Sequence, residues 1–208
     1  TPGVHTIARL DPFALPSKMA GEVRDFNPKA LIEKSYRKTL NAMARTVEFG
    51  VIGCQLAAQD AGLKKGAVQP ERFGVEFASV MGATELDDLG PASVRAIDAE
   101  RTGPDMPVWG AAGLPEVPPM WMLKYLPNMP ACHAGILFDI QGPSNTQIAG
   151  DTAGAAALGE AVRILRRGAA DVMLVGGSEA KVHPLSLSRF NLFAQFSKRN
   201  DDPEGAIR

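Results

Sequence analysis

The chain has 208 residues, 45% of them hydrophobic and 22% charged, with a formal net charge of -1. That composition suits one large globular domain or half of a bigger one. The balanced charge excludes the basic field that binds nucleic acid or an anionic membrane surface. No apolar run approaches the roughly 18 residues needed to cross a bilayer.

Residues 1 to 30 are irregular and rich in Pro and Gly, with two alternating pieces, "TIARL" and "MAGEV", that read as edge strands. Pro28 opens a helical pattern over 29–62. Its apolar face is Ala44, Val47, Val51, Cys54, Leu56, Ala57 and Ala61, and Gly62 closes it. "RFGVEFASV" (72–80) reads as a strand, and 84–101 as a polar helix interrupted at Gly90-Pro91. The Gly- and Pro-dense stretch 102–119 reads as a loop. The apolar segment from Pro118 to Ile140 reads either as a core helix or as a helix at a subunit interface, where Trp, Tyr and Met gather.

"NTQIAG" (145–150) reads as a strand. The helix after it covers 152–167 with Leu158, Ala161, Val162 and Leu165 as its buried stripe. Arg166 and Arg167 suit its negative end and Gly168 ends it. "DVMLVGG" (171–177) is apolar enough for a strand covered on both faces. Strands alternating with helices give an α/β class with a largely parallel sheet. Cys54 and Cys132 read as buried free thiols of a reducing cytoplasm. Cys132 and His133 are adjacent, and helix neighbours one apart do not converge on one ion, so neither a metal nor a cofactor is expected.

The strand-turn-helix at 145–167 aims one side chain at unpaired backbone amides and a positive dipole end. A cysteine there would be a ready thiolate, with the amides holding an oxyanion. Asp151 stands at that point, and Gly150 and Gly154 leave room around it. As one of the best capping residues, Asp151 also fits a plain N-cap role.

"NMPACHAGILFDIQGPSN", the elbow, "GEAVRILRRGAADVMLVGGSEA" and "RNDDPEGAIR" fall in the order and spacing of the β-ketoacyl-acyl-carrier-protein synthases, which the chain resembles over nearly its whole length. "IARLDPFALPSKMAGEVRDFNP" echoes an earlier motif of that family. The resemblance implies a thiolase-like, layered α-β-α-β-α architecture, usually dimeric. Residues 1–208 would be the N-terminal part, lacking the opening strand and the C-terminal half, and so the two catalytic histidines that half supplies. His5, His133 and His183 read as structural or surface histidines.

The resemblance further implies that Asp151 takes the position of the nucleophilic cysteine, in "GDTAG" where the family commonly has Ala-Cys-Ala-Ser/Thr-Gly. Acyl transfer to a carboxylate would make a mixed anhydride, uphill from a thioester. An ionised carboxylate cannot donate a hydrogen bond to a thioester carbonyl, so decarboxylation is disfavoured too. Trp121 and Phe190 match acyl-pocket positions of the family, with a core role for each as the plain alternative. The implied partners are acyl carrier protein, with its phosphopantetheine-linked acyl chain, and a synthase subunit in a homodimer or heterodimer. The basic group Lys34, Arg37, Lys38 and Arg45 suits an acidic carrier or a merely solvated face.

Two functions follow from the resemblance. One is a non-condensing, chain-length-factor-like partner in fatty-acid or polyketide assembly. The other is an enzyme of the same fold with altered thioester chemistry, a decarboxylase or hydrolase using Asp151. A nucleotide-binding reading is weak, because GxGxxG is absent.

Overall fold

The computed structural model describes residues 3–98, 100, 103–193 and 196–207. They form two compact units, one of residues 28–179 and one of residues 1–27 with 180–208. In the smaller unit, β1 (Val4–Thr6) and β2 (Met19–Gly21) pair antiparallel with His5 opposite Ala20. β2 lies in the expected piece "MAGEV", whereas β1 precedes the expected "TIARL" and shares only Thr6 with it. Asn200 ties the hairpin to the C-terminal segment: it accepts from Lys18 N at 2.7 Å and donates to Pro16 O at 3.1 Å.

In the larger unit the stretch expected as one helix is three pieces: α1 (Pro28–Leu31), a 3-10 helix (Lys34–Ala42) and α2 (Arg45–Asp60). Tertiary hydrogen bonds replace the helical ones at both breaks. The Gln55 side chain donates to Leu31 O and accepts from Glu33 N, and Ala44 N donates to Lys124 O. Val47, Val51, Cys54 and Ala58 form the buried stripe of α2, while Leu56 is exposed. Gly62 takes φ 65°, and Leu63 N reaches back to Ala58 O, a glycine cap of the expected kind.

The strand β3 (Phe73–Ala78) is buried along its whole length. Next, α3 (Leu86–Arg95) runs through Pro91 without the expected interruption, so one missing amide does not break the helix here. Of the expected loop at 102–119, residue 102 lies outside the described residues and 106–116 are instead a string of helical turns. It comprises α4 (Met106–Val108), a π turn (Trp109–Gly113) and a 3-10 turn (Leu114–Glu116). Pro107 and Pro115 sit in first turns, where a missing N–H costs nothing, so proline density misleads. The apolar segment after it is two helices, α5 (Trp121–Tyr125) and α6 (Met129–Phe138). Pro127 forces Leu126 into an extended backbone and separates them.

A turn at Gly142 leads into β4 (Ser144–Gln147); a Cβ on Gly142 would collide with the Phe73 carbonyl. A 3-10 turn (Gly150–Thr152) runs into α7 (Ala153–Arg166), and β5 (Val172–Gly177) follows. The sheet order is β4-β3-β5, all parallel. One face packs Phe73, Val75, Phe77 and Leu174 against Cys54, Ala131 and Ala134, from α2 and α6. The other sets Ala78 against Ala153 and Ala157 of α7.

Two expectations fail on this second face. The inward stripe of α7 is Ala153, Ala157, Ala161 and Ile164, whereas Leu158 is 58% exposed, with Val162 and Leu165 also outward. Likewise β5 is not covered on both faces, because Val175 is 38% exposed. The small alanines bring α7 close to the sheet, with Ile164 the large side chain of the inward stripe, while Leu158, Val162 and Leu165 face away. The last helix, α8 (Pro184–Phe193), belongs to the smaller unit and buries none of its residues.

Candidate functional site

Parallel strands put all their C-terminal ends at one edge, where α/β sheets hold their ligands. At that edge a cleft of about 340 Å³ is lined by Ala78, Ser79 and Val80 after β3 and by Gly150, Asp151, Ala153 and Gly154 at the elbow. Gly177, Ser178 and Glu179 after β5 complete it. The elbow is a tight one because Gly150 takes φ 55°, a left-handed conformation that costs most side chains energy. Asp151 is therefore the second residue of a 3-10 turn fused to α7, which is the strand-turn-helix anticipated from sequence.

The N-cap role for Asp151 is not what the structure shows. The hydrogen-bond pattern makes Thr152 the N-cap of α7, with no side-chain capping bond. The Thr152 hydroxyl donates instead to Ala149 O at 2.9 Å. Asp151 is exposed to the cleft, and among the described residues its carboxylate has no hydrogen bond or ion pair. A carboxylate free of a capping duty is available to whatever enters the cleft.

Ser79, Ser178 and Glu179 were not singled out from sequence. Ser178 is structural in part, since its hydroxyl donates to Thr46 O at 2.8 Å and holds β5 to α2. Glu76 was also missed, although a lone acid in an apolar strand is a visible signal. It is wholly buried on β3; its Oε1 accepts from Gln147 Nε2 at 2.6 Å, and among the described residues its Oε2 has no partner. The pair couples β3 to the strand that leads into the elbow.

Trp121 and Phe190 lie in different units and are described separately. Trp121 is half-buried on α5, its ring centroid 6.3 Å from that of Tyr125. Phe190 is half-buried on α8, 5.9 Å from the Phe196 ring, with Lys181 Nζ over its face at 5.3 Å. Near Trp121, Asp88 Oδ2 accepts from Tyr125 OH at 2.5 Å and Lys124 Nζ at 2.6 Å. Burial alone would raise the Asp88 carboxyl, but these two donors outweigh it and hold it below the usual carboxylate range. Burial, then the Asp88 bond, pushes the Tyr125 phenol up.

Two of the three histidines are buried. His133 is buried on α6, its Nδ1 3.1 Å from Tyr36 OH, and burial lowers its pKa. His183 is buried, and Leu185 N donates to its Nδ1 at 3.3 Å. The cysteines divide: Cys54 is buried and its thiol is pushed up to about 11 by burial, whereas Cys132, expected buried, is exposed on α6. Cys132 is unlike Cys54 because it faces out of α6 beside Asn128, whose Nδ2 donates to its Sγ at 3.4 Å. Of the basic group, Lys34, Arg37 and Lys38 ride on the 3-10 helix, and Arg45 lies over the Phe49 ring at 4.8 Å.

The model of the β-ketoacyl synthase N-terminal domain matches residues 2–208. The chain belongs to the β-ketoacyl synthase family. It is 30% identical over 207 residues to the 3-oxoacyl-[acyl-carrier-protein] synthase 2 of Coxiella burnetii, covering 99% of this chain and 45% of that protein. The synthase of the same description from Staphylococcus aureus is 27% identical over 206 residues, with 99% and 46% covered. The chain thus spans about half the length of these synthases.

Solved ketosynthases show the same thiolase-like fold. A β-ketoacyl synthase of Burkholderia phymatum superposes with a TM-score of 0.71 at 23% identity, covering 97% of this chain and 45% of that one. The ishigamide ketosynthase/chain length factor gives 0.72 at 19% identity, covering 94% and 44%. Among the described residues no helix is long and apolar enough to cross a membrane.

Proposed function

We propose that this chain is part of a β-ketoacyl synthase homologue that does not condense by itself and acts as a chain-length-factor-like partner in fatty-acid or polyketide assembly. The observation that carries this reading is Asp151, an exposed and unpartnered carboxylate at the elbow cleft where a ketosynthase would need a thiolate. A carboxylate makes a poor acyl acceptor from a thioester, and Glu179 on the same cleft adds a second acidic group that opposes a developing enolate. In this reading Trp121 and Phe190 each take an acyl-pocket position of the family, and Trp121 shortens the tunnel on its side. The basic 3-10 helix receives an acidic acyl carrier protein with its phosphopantetheine arm. Dimerisation with a cysteine-bearing synthase supplies the missing nucleophile.

The second reading, altered thioester chemistry, draws on the same cleft. A free carboxylate beside Ser79 and Ser178 is also a candidate general base for water. The two are separated by incubating the full-length protein, alone and with any co-purifying synthase, with malonyl- and acyl-carrier protein and following products by mass spectrometry. No turnover alone, with longer or more uniform chains beside the partner, is the expected result. Carbon dioxide or free acid from the protein alone favours the second reading. A β-ketoacyl product from the protein alone overturns both.

A further inference from the structure

The corner around α5 satisfies its polar groups with one exception. Asp88 Oδ2 accepts hydrogen bonds from Tyr125 OH and Lys124 Nζ, and Tyr125 OH accepts from Glu85 N at 3.1 Å. The backbone carbonyls of Tyr125 and Lys124 accept from Gly82 N and Ala44 N, both at 3.2 Å. The indole Nε1–H of Trp121 is the exception: it is shielded from solvent and has no acceptor among the described residues. Buried indole N–H groups usually find a partner, because leaving one unpaired sacrifices the hydrogen bond it made to water. An orphan donor on an otherwise apolar ring marks a place where an acceptor arrives with a ligand.

Resting on the acyl-tunnel reading above, we propose that Trp121 Nε1–H donates a hydrogen bond to an oxygen on the bound acyl chain. The tunnel is then matched to a chain bearing oxygen along its length rather than to a plain saturated one. A donor of this kind discriminates by penalty: a saturated chain leaves the indole unpaired, and an oxygenated one does not. Met120, Met122 and Leu123, exposed around it on the same segment, offer no competing polar group.

The test uses the full-length protein, with its synthase partner where one co-purifies. Carrier protein is loaded through a hydrolysis-resistant amide with octanoyl or with 3-, 5- or 7-oxo-octanoyl chains, and affinities are measured. One oxo chain is expected to bind about tenfold tighter than octanoyl. Trp121→Phe keeps a ring and loses the N–H; it is expected to abolish the oxo preference, so that within the variant that oxo chain binds no tighter than octanoyl. Equal binding of all four chains, or an oxo preference that survives Trp121→Phe, overturns the inference while leaving the tunnel reading intact. Should Trp121→Phe bind nothing, Trp121 is replaced with 3-benzothienylalanine, which has the same shape without the N–H. Octanoyl binding without oxo preference then supports the inference, and any other pattern overturns it. Failure of the wild type to bind any of the four chains overturns the tunnel reading, and the inference with it.

Discussion

The two faces of the β4-β3-β5 sheet are built to different degrees. Toward α2 and α6 the sheet offers Phe73, Val75 and Phe77, each at most 4% exposed, and the opposing helices close over them. Toward α7 it offers Glu76 and Ala78, with Val175 left part-exposed, and the helix carries Leu158, Val162 and Leu165 on its far side. The first face is a finished core. The second leaves apolar surface on both sides of α7, which is what a helix between two sheet layers of a thiolase-like architecture would carry. The contrast teaches that one helix can have two apolar faces for different reasons: alanines for close approach inward, aliphatics for a further layer outward.

Breaking the finished face carries the largest expected effect. Phe77→Ala removes a buried ring from the contact with Gly50 and Gly176 and is expected to cost about 3–5 kcal/mol in urea denaturation. Overfilling it comes next. A Cβ at Gly50 would lie 2.9 Å from both the Phe77 ring and Pro130 Cβ, so Gly50→Leu should force α2 off the sheet at a cost of about 1–3 kcal/mol. A smaller effect tests the buried histidine on this side. Burial lowers the His133 pKa in the folded state, so the unfolded chain binds its proton first on acidification. Its contribution is fully present above the ordinary value of about 6.5 and is lost as pH falls through the lower folded-state value. His133→Gln should flatten the fall of the urea midpoint below about pH 6.5.

The unfinished face should respond least. Leu158→Ser is expected to change the stability of the 208-residue chain by less than about 0.5 kcal/mol, because its side chain leaves little water on folding here. In the full-length protein the same change should cost several times more if a further layer packs on α7. Equal effects in both would mean that α7 faces solvent.

The pattern of elements was legible because hydrophobic period and glycine caps are local signals. Gly62 and Gly168, at φ 65° and 70°, end their helices where the sequence indicates. The parallel order followed from the alternation of strand and helix. What escaped is non-local. Gln55 breaks the first helix by binding backbone 24 residues away, which no periodicity reveals. The stripe of α7 was misassigned because leucine outranks alanine as an inward residue only when there is one core to face. The cleft was half legible: the elbow and Asp151 are sequence-local, whereas Ser79 and Glu179 reach it only through the sheet register. The capping role failed because the first turn is 3-10, which leaves the Asp151 carboxylate away from the α7 amides.

The central claim is that the elbow belongs to a ketosynthase disarmed by Asp151. Intact-mass spectrometry of the full-length protein after incubation with acyl-carrier protein tests it most directly. The account predicts that the wild type gains no mass and that Asp151→Cys gains one acyl group, the new thiolate displacing the carrier thiol from its thioester. An acyl adduct on wild-type Asp151, or an Asp151→Cys protein that folds and stays unmodified, would contradict it.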